Sequence, residues 1–433
     1  MPVPSALRES LASVYMAAVR AALPDESLIP HLPPMPRGRL IILAAGKAAG
    51  SMVPAAERHY LDTLKVDPAR ITGSAVARHG YGAATRVVPM IEAGHPVPDA
   101  ASFDAAHRAL NLAADAGEDD LVLVLLSGGG SANWIAPAGQ LTLAEKQGIT
   151  RLMLRSGAAI DEINCVRKRL SLIKGGRLAL AAWPAPVVTL AVSDVPRDEP
   201  EIIASGPTVA DGSSNADARA VIAKYAIALP ASARALLDDP AMETPKPDDP
   251  ALSRSSFRII AKPSLAIAAA VAQCRALGYE PVSLGADLEG EARFVGADHA
   301  RQAMALKRAG KRAALVSGGE LTVTIKGHGR GGPNQEYALG LVIALGGETG
   351  IAAVSGDTDG TDGGGGSASD PAGAFVDADT LARARFLGLD ASAMLADNDS
   401  TGFFEALGDL LTPGPTLTNV NDCRVILIDP DGD

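Results

Sequence analysis

The chain has 433 residues, of which 47% are hydrophobic, 21% charged and 3% aromatic, and its net charge at neutral pH is −11. That length exceeds one typical core and predicts two or three domains, and the composition is that of a soluble globular protein. The acidic balance excludes an extended nucleic-acid or acidic-membrane surface, but leaves room for a local basic pocket that takes a small anion.

Three cysteines, Cys165, Cys274 and Cys423, are odd in number and in no CxxC spacing, which argues against a disulfide framework or a zinc site. The N-terminus lacks the basic-then-apolar order of a signal peptide, and no apolar run reaches the ~20 residues of a membrane helix. A cytoplasmic protein with small-molecule partners is expected, and its oligomeric state stays open.

In chain order, Leu7, Leu11, Val14, Ala18 and Leu23 predict an opening amphipathic helix that only packs. Residues 38–52, GRLIILAAGKAAGSM, read as a buried parallel strand, a Gly46-Lys47 turn and a helix start. Lys47 is thereby placed at the C-terminal end of a strand, where open α/β sheets bind ligands. A Walker A loop is excluded, because Ile41 stands where its first glycine belongs and Ala48 where Ser or Thr belongs. His95, in the Gly/Pro turn after the next strand, reads as a turn-stabilising hydrogen bonder before a catalytic group. Leu121 to Leu126 predicts a further buried strand, and Ser127, Gly128, Gly129, Gly130 and Ser131 after it form a phosphate-loop candidate. Arg167, Lys168, Arg169, Lys174 and Arg177 cluster on a helix-like segment, either as a solvated face or as an anion site. Asp194 follows the strand Val187–Val192 directly and is expected to ligate a metal or accept a proton. The Pro- and Asp-rich text from Asp238 to Ser256 predicts a linker, set at 241–256, between domains 1–240 and 257–433.

The stretch from Ala314 to Gly366 organises the second half. Leu315-Val316 and Leu321 to Ile325 read as strands that lead into a loop with glycines at 327, 329, 331 and 332 and Arg330 at its centre. A helix over Tyr337 to Leu345, with Pro333 in its first turn, would offer its N-terminus to an anion. The strand Ile351–Val354 then opens into SGDTDGTDGGGG, where Asp357, Asp359 and Asp362 suggest Mg²⁺ beside a phosphorylated ligand. Gly327, Gly329 and Gly332 also satisfy GxGxxG, the best case for a dinucleotide-binding oxidoreductase, although Arg330 sits where a pyrophosphate would approach the backbone. A non-catalytic sugar-phosphate-binding regulator is a third reading. Strand-end Lys47 and Asp194 together with three aspartates favour phosphoryl transfer, which relies on positioning, cations and Mg²⁺.

The motifs LAAGKAAGSM, GHPVPDA, LLSGGGSA, INCVRKRLSLIKGGRLA, VSDVPRDEPEIIASGPT, SGGELTVTIKGHGRGGPNQE and SGDTDGTDG occur in this order. From about Leu43 to the tail, the chain resembles the glycerate 2-kinases of the type with a C-terminal MOFRL domain, some of which are named hydroxypyruvate reductase in a tartrate-degradation context. The resemblance implies an α/β protein with a Rossmann-like N-terminal domain and a smaller C-terminal domain, MOFRL-like over about 313–428, closing on a cleft. It implies phosphorylation of the 2-hydroxyl of D-glycerate by ATP with Mg²⁺; NAD(P)H-dependent hydroxypyruvate reduction is the alternative. Active-site residues of the family map to Lys47 and Arg330, while Pro333 stands where some relatives carry arginine. The expected site therefore has Lys47, Arg330 and Asp194 as catalytic groups. Ser127 to Ser131, Lys168, Gly318, Gly319, Glu320, Asn334 and Glu336 line it, and Asp194, Asp357 and Asp359 are the metal candidates.

Overall fold

The computed structural model describes residues 3–363, 367 and 369–430. Its chain divides into two units, Leu28–Ile260 and Met1–Ser27 with Ala261–Asp433.

In the first unit, short apolar runs form the strands β1 (Leu40–Ala45), β2 (Ile71–Arg78), β3 (Met90–Ala93), β4 (Leu121–Leu126), β5 (Val187–Val192) and β6 (Ser255–Ala261). The sheet order is β3-β2-β1-β4-β5-β6, and the pairs from β3 through β5 are parallel. This is the strand order of the doubly wound α/β folds. Every residue of β1 and β4 is buried, so helices cover both faces of the sheet, as unbroken apolar runs require. Scarce aromatics are replaced by alanine: Ala105, Ala106, Ala109 and Ala113 of the helix Ala100–Ala114 share a core with Ile41, Leu43, Val122 and Val124. β1 lies between β2 and β4, so the chain reverses direction across the sheet at the β1/β4 seam. Ala45 and Leu126, the last residues of those strands, are register partners, and the loops that follow leave side by side.

The second unit has β7 (Glu280–Ser283), β8 (Ala313–Ser317), β9 (Ile351–Asp357), β10 (Gly373–Val376), β11 (Leu410–Leu411) and β12 (Asp422–Ile428) in the order β11-β10-β9-β12-β8-β7. Only β7 and β8 pair in parallel; the other neighbours are antiparallel. The tail strand β12 is central and buried along its whole length.

Three expectations are corrected. The opening helix, Ser5–Ala21, belongs to the second unit and not to a contiguous domain 1–240, because its apolar face (Leu11, Val14, Tyr15, Ala18, Val19) is buried there. Tyr15 Oη donates to Asp357 O at 2.7 Å, and Val3 N to Asp409 Oδ1 at 2.8 Å. Residues 241–256 are no free linker: Met242 and Thr244 are buried in the first unit, and β6 begins at Ser255. Leu321 to Ile325 makes no strand. β8 already has β7 and β12 as neighbours, so the chain leaves the sheet after Gly319, with isolated bridges Leu288↔Gly319 and Glu291↔Thr322, and Ile325 stays 79% exposed.

Candidate active site

In the first unit three loops leave adjoining strands β1, β4 and β5 at their C-terminal ends. They carry Gly46-Lys47, Ser127 to Ser131 and Ser193-Asp194. The first two are stitched together: Lys47 N donates to Gly128 O at 2.8 Å, and Ser127 Oγ accepts from Ala48 N at 2.9 Å. Gly46 has φ +120°, and a Cβ there would stand 2.4 Å from Ser127 Oγ, so only glycine permits this approach. Gly129, at φ +84°, faces both His95 and Lys47; a Cβ on it would lie 3.0 Å from His95 Cδ2 and 3.6 Å from Lys47 Cγ. Half-buried Lys47 and His95 therefore flank the glycine loop. The imidazole that reads as a turn residue in the sequence stands beside the strand-end lysine.

The same loop is held from below. Lys174 Nζ donates to Ser131 O at 2.7 Å, Ser131 Oγ and Ser205 Oγ are 2.7 Å apart, and Ser205 Oγ donates to Asn164 Oδ1 at 3.4 Å. Ala204 and Ser205 hold φ of +50° and +61°, a left-handed backbone that costs non-glycine residues and persists where surrounding contacts impose it.

Lys168, expected among the ligand contacts, is instead an internal ion-pair partner. It is 5% exposed, with Nζ 3.3 Å from Asp211 Oδ1, while Arg169 lies 2.7 Å from Asp211 Oδ2. Burial alone would raise the Asp211 carboxyl, but Lys168 and Arg169 outweigh it and hold it below the ordinary carboxylate value. Arg167, the third cation of the run, has no hydrogen-bonding or ionic partner among the described residues.

In the second unit, Arg330 sits on an extended strap that runs into the helix Pro333–Leu345, with Pro333 at its first position as expected. The strap binds the protein's own 397–401 loop. Lys326 N and Gly327 N donate to Asn398 Oδ1, His328 N to Asp397 Oδ1, Gly329 N to Asp397 O and Arg330 N to Asp399 Oδ1. A Cβ on Gly327 would meet Asp397 O at 2.2 Å, and one on Gly329 would meet Asp399 Cβ at 2.3 Å. These glycines thus admit an acidic loop and not a pyrophosphate, which removes the structural basis of a dinucleotide fingerprint here. The Arg330 side chain projects outward, 65% exposed, and pairs with Glu405 at 2.7 Å.

The anion at the N-terminus of the Pro333–Leu345 helix is internal too. Asp362 accepts from Asn334 N at 3.0 Å and Gln335 N at 2.9 Å, and from both side-chain amides. Burial, opposed by these donors, pushes its carboxyl up to about 7. Asn334 and Glu336, expected at the nucleotide, are buried instead. Asn334 bonds Asp362, Asp422 and Ser355, and Glu336 pairs with Arg293 at 2.6 Å and accepts from Asn398. The Gly318-Gly319 turn gives its carbonyl oxygens to the buried Arg424 guanidinium, while Glu320 is exposed.

Among the metal candidates of this unit, Asp357 Oδ1 accepts from Asp359 N at 2.9 Å, and Asp359 Oδ1 from Thr361 N at 2.8 Å. Both carboxylates shape their own loop, and the described residues gather no group of three or more His, Cys, Asp or Glu side chains into a metal cage. Gly364 to Gly366 of the same run lie outside the described residues.

Comparison with known proteins matches two successive stretches of the chain to two families. Residues 10–238 match the family described as a domain of unknown function, DUF4147, and residues 313–422 match the MOFRL family. A chain from Agrobacterium vitis with the provisional name hydroxypyruvate reductase is 46% identical over 427 residues, 97% of this chain and 94% of that one. The D-glycerate 2-kinase of Thermotoga maritima is 38% identical over 431 residues, 98% of this chain and 99% of that one. The crystal structure of a glycerate kinase from Thermotoga maritima superposes with a TM-score of 0.87 at 37% identity, covering 98% of this chain and 100% of that one. Likeness in sequence and fold over almost the entire length, with both regions in this order, means that the chain belongs to the glycerate 2-kinase family.

Proposed function

We propose that this protein transfers the γ-phosphoryl group of ATP to the 2-hydroxyl of D-glycerate, giving 2-phospho-D-glycerate and ADP. The observation that carries the reading is the end-to-end likeness to a D-glycerate 2-kinase, in sequence and in fold. Lys47, beside the Ser127 to Ser131 loop, supplies a point charge for the anionic reactants, and the loop's glycines let phosphate oxygens approach the backbone. Arg330 is the second cation. Its pair with Glu405 is exposed on both sides and screened by solvent, so a phosphate or carboxylate can replace it at small cost. Asp194, at the strand end next to the glycine loop, receives the proton of the attacking 2-hydroxyl.

Mg²⁺ is proposed to enter with ATP as part of the substrate. It keeps phosphate and water ligands and needs only one or two carboxylates, which suits a chain whose described aspartates form no cage. Work in the reducing cytoplasm fits three buried free thiols, Cys165, Cys274 and Cys423.

Hydroxypyruvate reduction is the second reading, carried by the name of the Agrobacterium vitis relative. The packing of Gly327 and Gly329 on 397–399 speaks against it. A paired assay separates the two: ATP with D-glycerate, the product identified by NMR, against NADH or NADPH with hydroxypyruvate. Phosphorylation at the 2-hydroxyl without reductase turnover supports the kinase, and reductase turnover alone overturns it.

A further inference from the structure

Three cations of the first unit stand together with no acid. Arg167, on the helix Ile160–Arg169, is half-buried and has neither hydrogen-bonding nor ionic partner among the described residues. Lys146 and Lys174, 3% and 1% exposed, lie within its electrostatic reach, and each bonds only to a backbone carbonyl, Leu170 O and Ser131 O, at 2.7 Å. Burial and repulsion from Arg167 push both lysines well below their ordinary value, the response of cations that lack a counter-charge. The neighbours in the same run behave differently: Lys168 and Arg169 share Asp211. Leaving a guanidinium half-buried and unpaired is costly, and such a cost is tolerated where a ligand supplies the missing charge. Lys174 ties this cluster to the glycine loop, since its bond ends on Ser131, whose hydroxyl meets Ser205 and, through it, Asn164, one turn before Arg167 on the same helix.

We propose that Arg167 is a binding residue for an oxyanion group of a reactant, phosphate or carboxylate, at the Ser131 end of the glycine loop, with Lys174 and Lys146 as its buried supports. The seat rests on the kinase reading for the identity of its ligand and on the geometry alone for its existence. Arg167 presents a planar fork that grips two oxygens at once, which a lysine cannot reproduce.

The test is binding of inorganic phosphate, pyrophosphate, MgADP and D-glycerate to the full chain, by calorimetry and by ligand-induced thermal shift at matched ionic strength. The Arg167→Met protein is expected to bind the affected ligand roughly 10- to 100-fold more weakly, with Arg167→Lys recovering part of the loss. Without ligand, Arg167→Met is expected to melt no lower than the parent, because removing an unpaired cation relieves repulsion. Loss confined to the phosphate compounds assigns the seat to the nucleotide, and loss confined to D-glycerate assigns it to the acid. If Arg167→Met does not fold, Arg167→Gln carries the same comparison, and a failure of both to fold overturns the proposal, since it would show a structural role. Affinities within about two-fold of the parent for all four probes also overturn it, as does a parent that binds none of them. Should the parent bind phosphate through Arg167 yet fail to phosphorylate D-glycerate, the kinase reading falls and the seat stands.

Discussion

Replacing Asp362 by asparagine isolates a buried charge whose cost follows from its surroundings. The carboxylate receives two backbone N–H groups at the start of the Pro333–Leu345 helix and two side-chain amides, yet it is 3% exposed and near Asp422, and burial dominates. Its folded value of about 7 lies above the ordinary 3.8. Folding therefore binds the proton more tightly, and the stabilisation this gives is full below the ordinary value and lost as pH rises through about 7. At 1.36 kcal/mol per pH unit, the shift amounts to about 4 kcal/mol between pH 4 and pH 8. Asp362→Asn cannot titrate. At acid pH it is expected to be less stable than the parent, because its NH₂ group meets donors where the carboxyl presents an acceptor. The deficit is expected to shrink steadily as pH rises. Urea unfolding of both proteins at intervals from pH 4.5 to 8 gives the difference directly, and subtraction removes every group they share. Parallel stability curves over that range would refute the burial argument. They would mean that the four donors outweigh desolvation and that the carboxylate is ionised throughout.

Three further outcomes are expected. Gly329→Ala forces a Cβ into Asp399 and should destabilise the protein by about 1–3 kcal/mol in urea unfolding; an unchanged unfolding midpoint with weakened nucleotide binding would restore the phosphate-cradle reading of that loop. Lys47→Ala and Arg330→Ala should each lower turnover of D-glycerate by roughly 10²–10³-fold, and near-parental turnover in steady-state assays would remove that residue from the proposed chemistry. Arg169→Met leaves Asp211 without its nearest guanidinium in a buried site and should cost about 3–5 kcal/mol of stability with little change in the KM for ATP; the opposite pattern would make the run around Arg169 a ligand site.

Much of the fold was legible because buried parallel strands need unbroken apolar runs. LIILAA, LVLVLL and VVTLAV became β1, β4 and β5, and the loops after them carry Lys47, the Ser127 to Ser131 turn and Asp194 at adjoining strand ends. Local chemistry also marked Pro333 as a helix start and Gly46 as a turn, since each depends on backbone geometry that the residue itself restricts.

The second half read less well for a physical reason. Glycine permits close approach but does not specify what approaches, and in the 327–332 strap the visitor is the 397–401 loop, some seventy residues later in the chain. Helix N-termini attract anions without saying whose, and here Asp362 is the anion. Within VRKR, three adjacent cations look alike in one dimension; only the position of Asp211 in space pairs Lys168 and Arg169 and leaves Arg167 alone. The sequence by itself determined the buried strands of the first unit, their loops and the membership of the family, because those follow from local pattern and motif order. Which charged side chains are spent on the protein's own carboxylates was decided by long-range packing, because a counter-charge distant in sequence leaves no trace beside its partner.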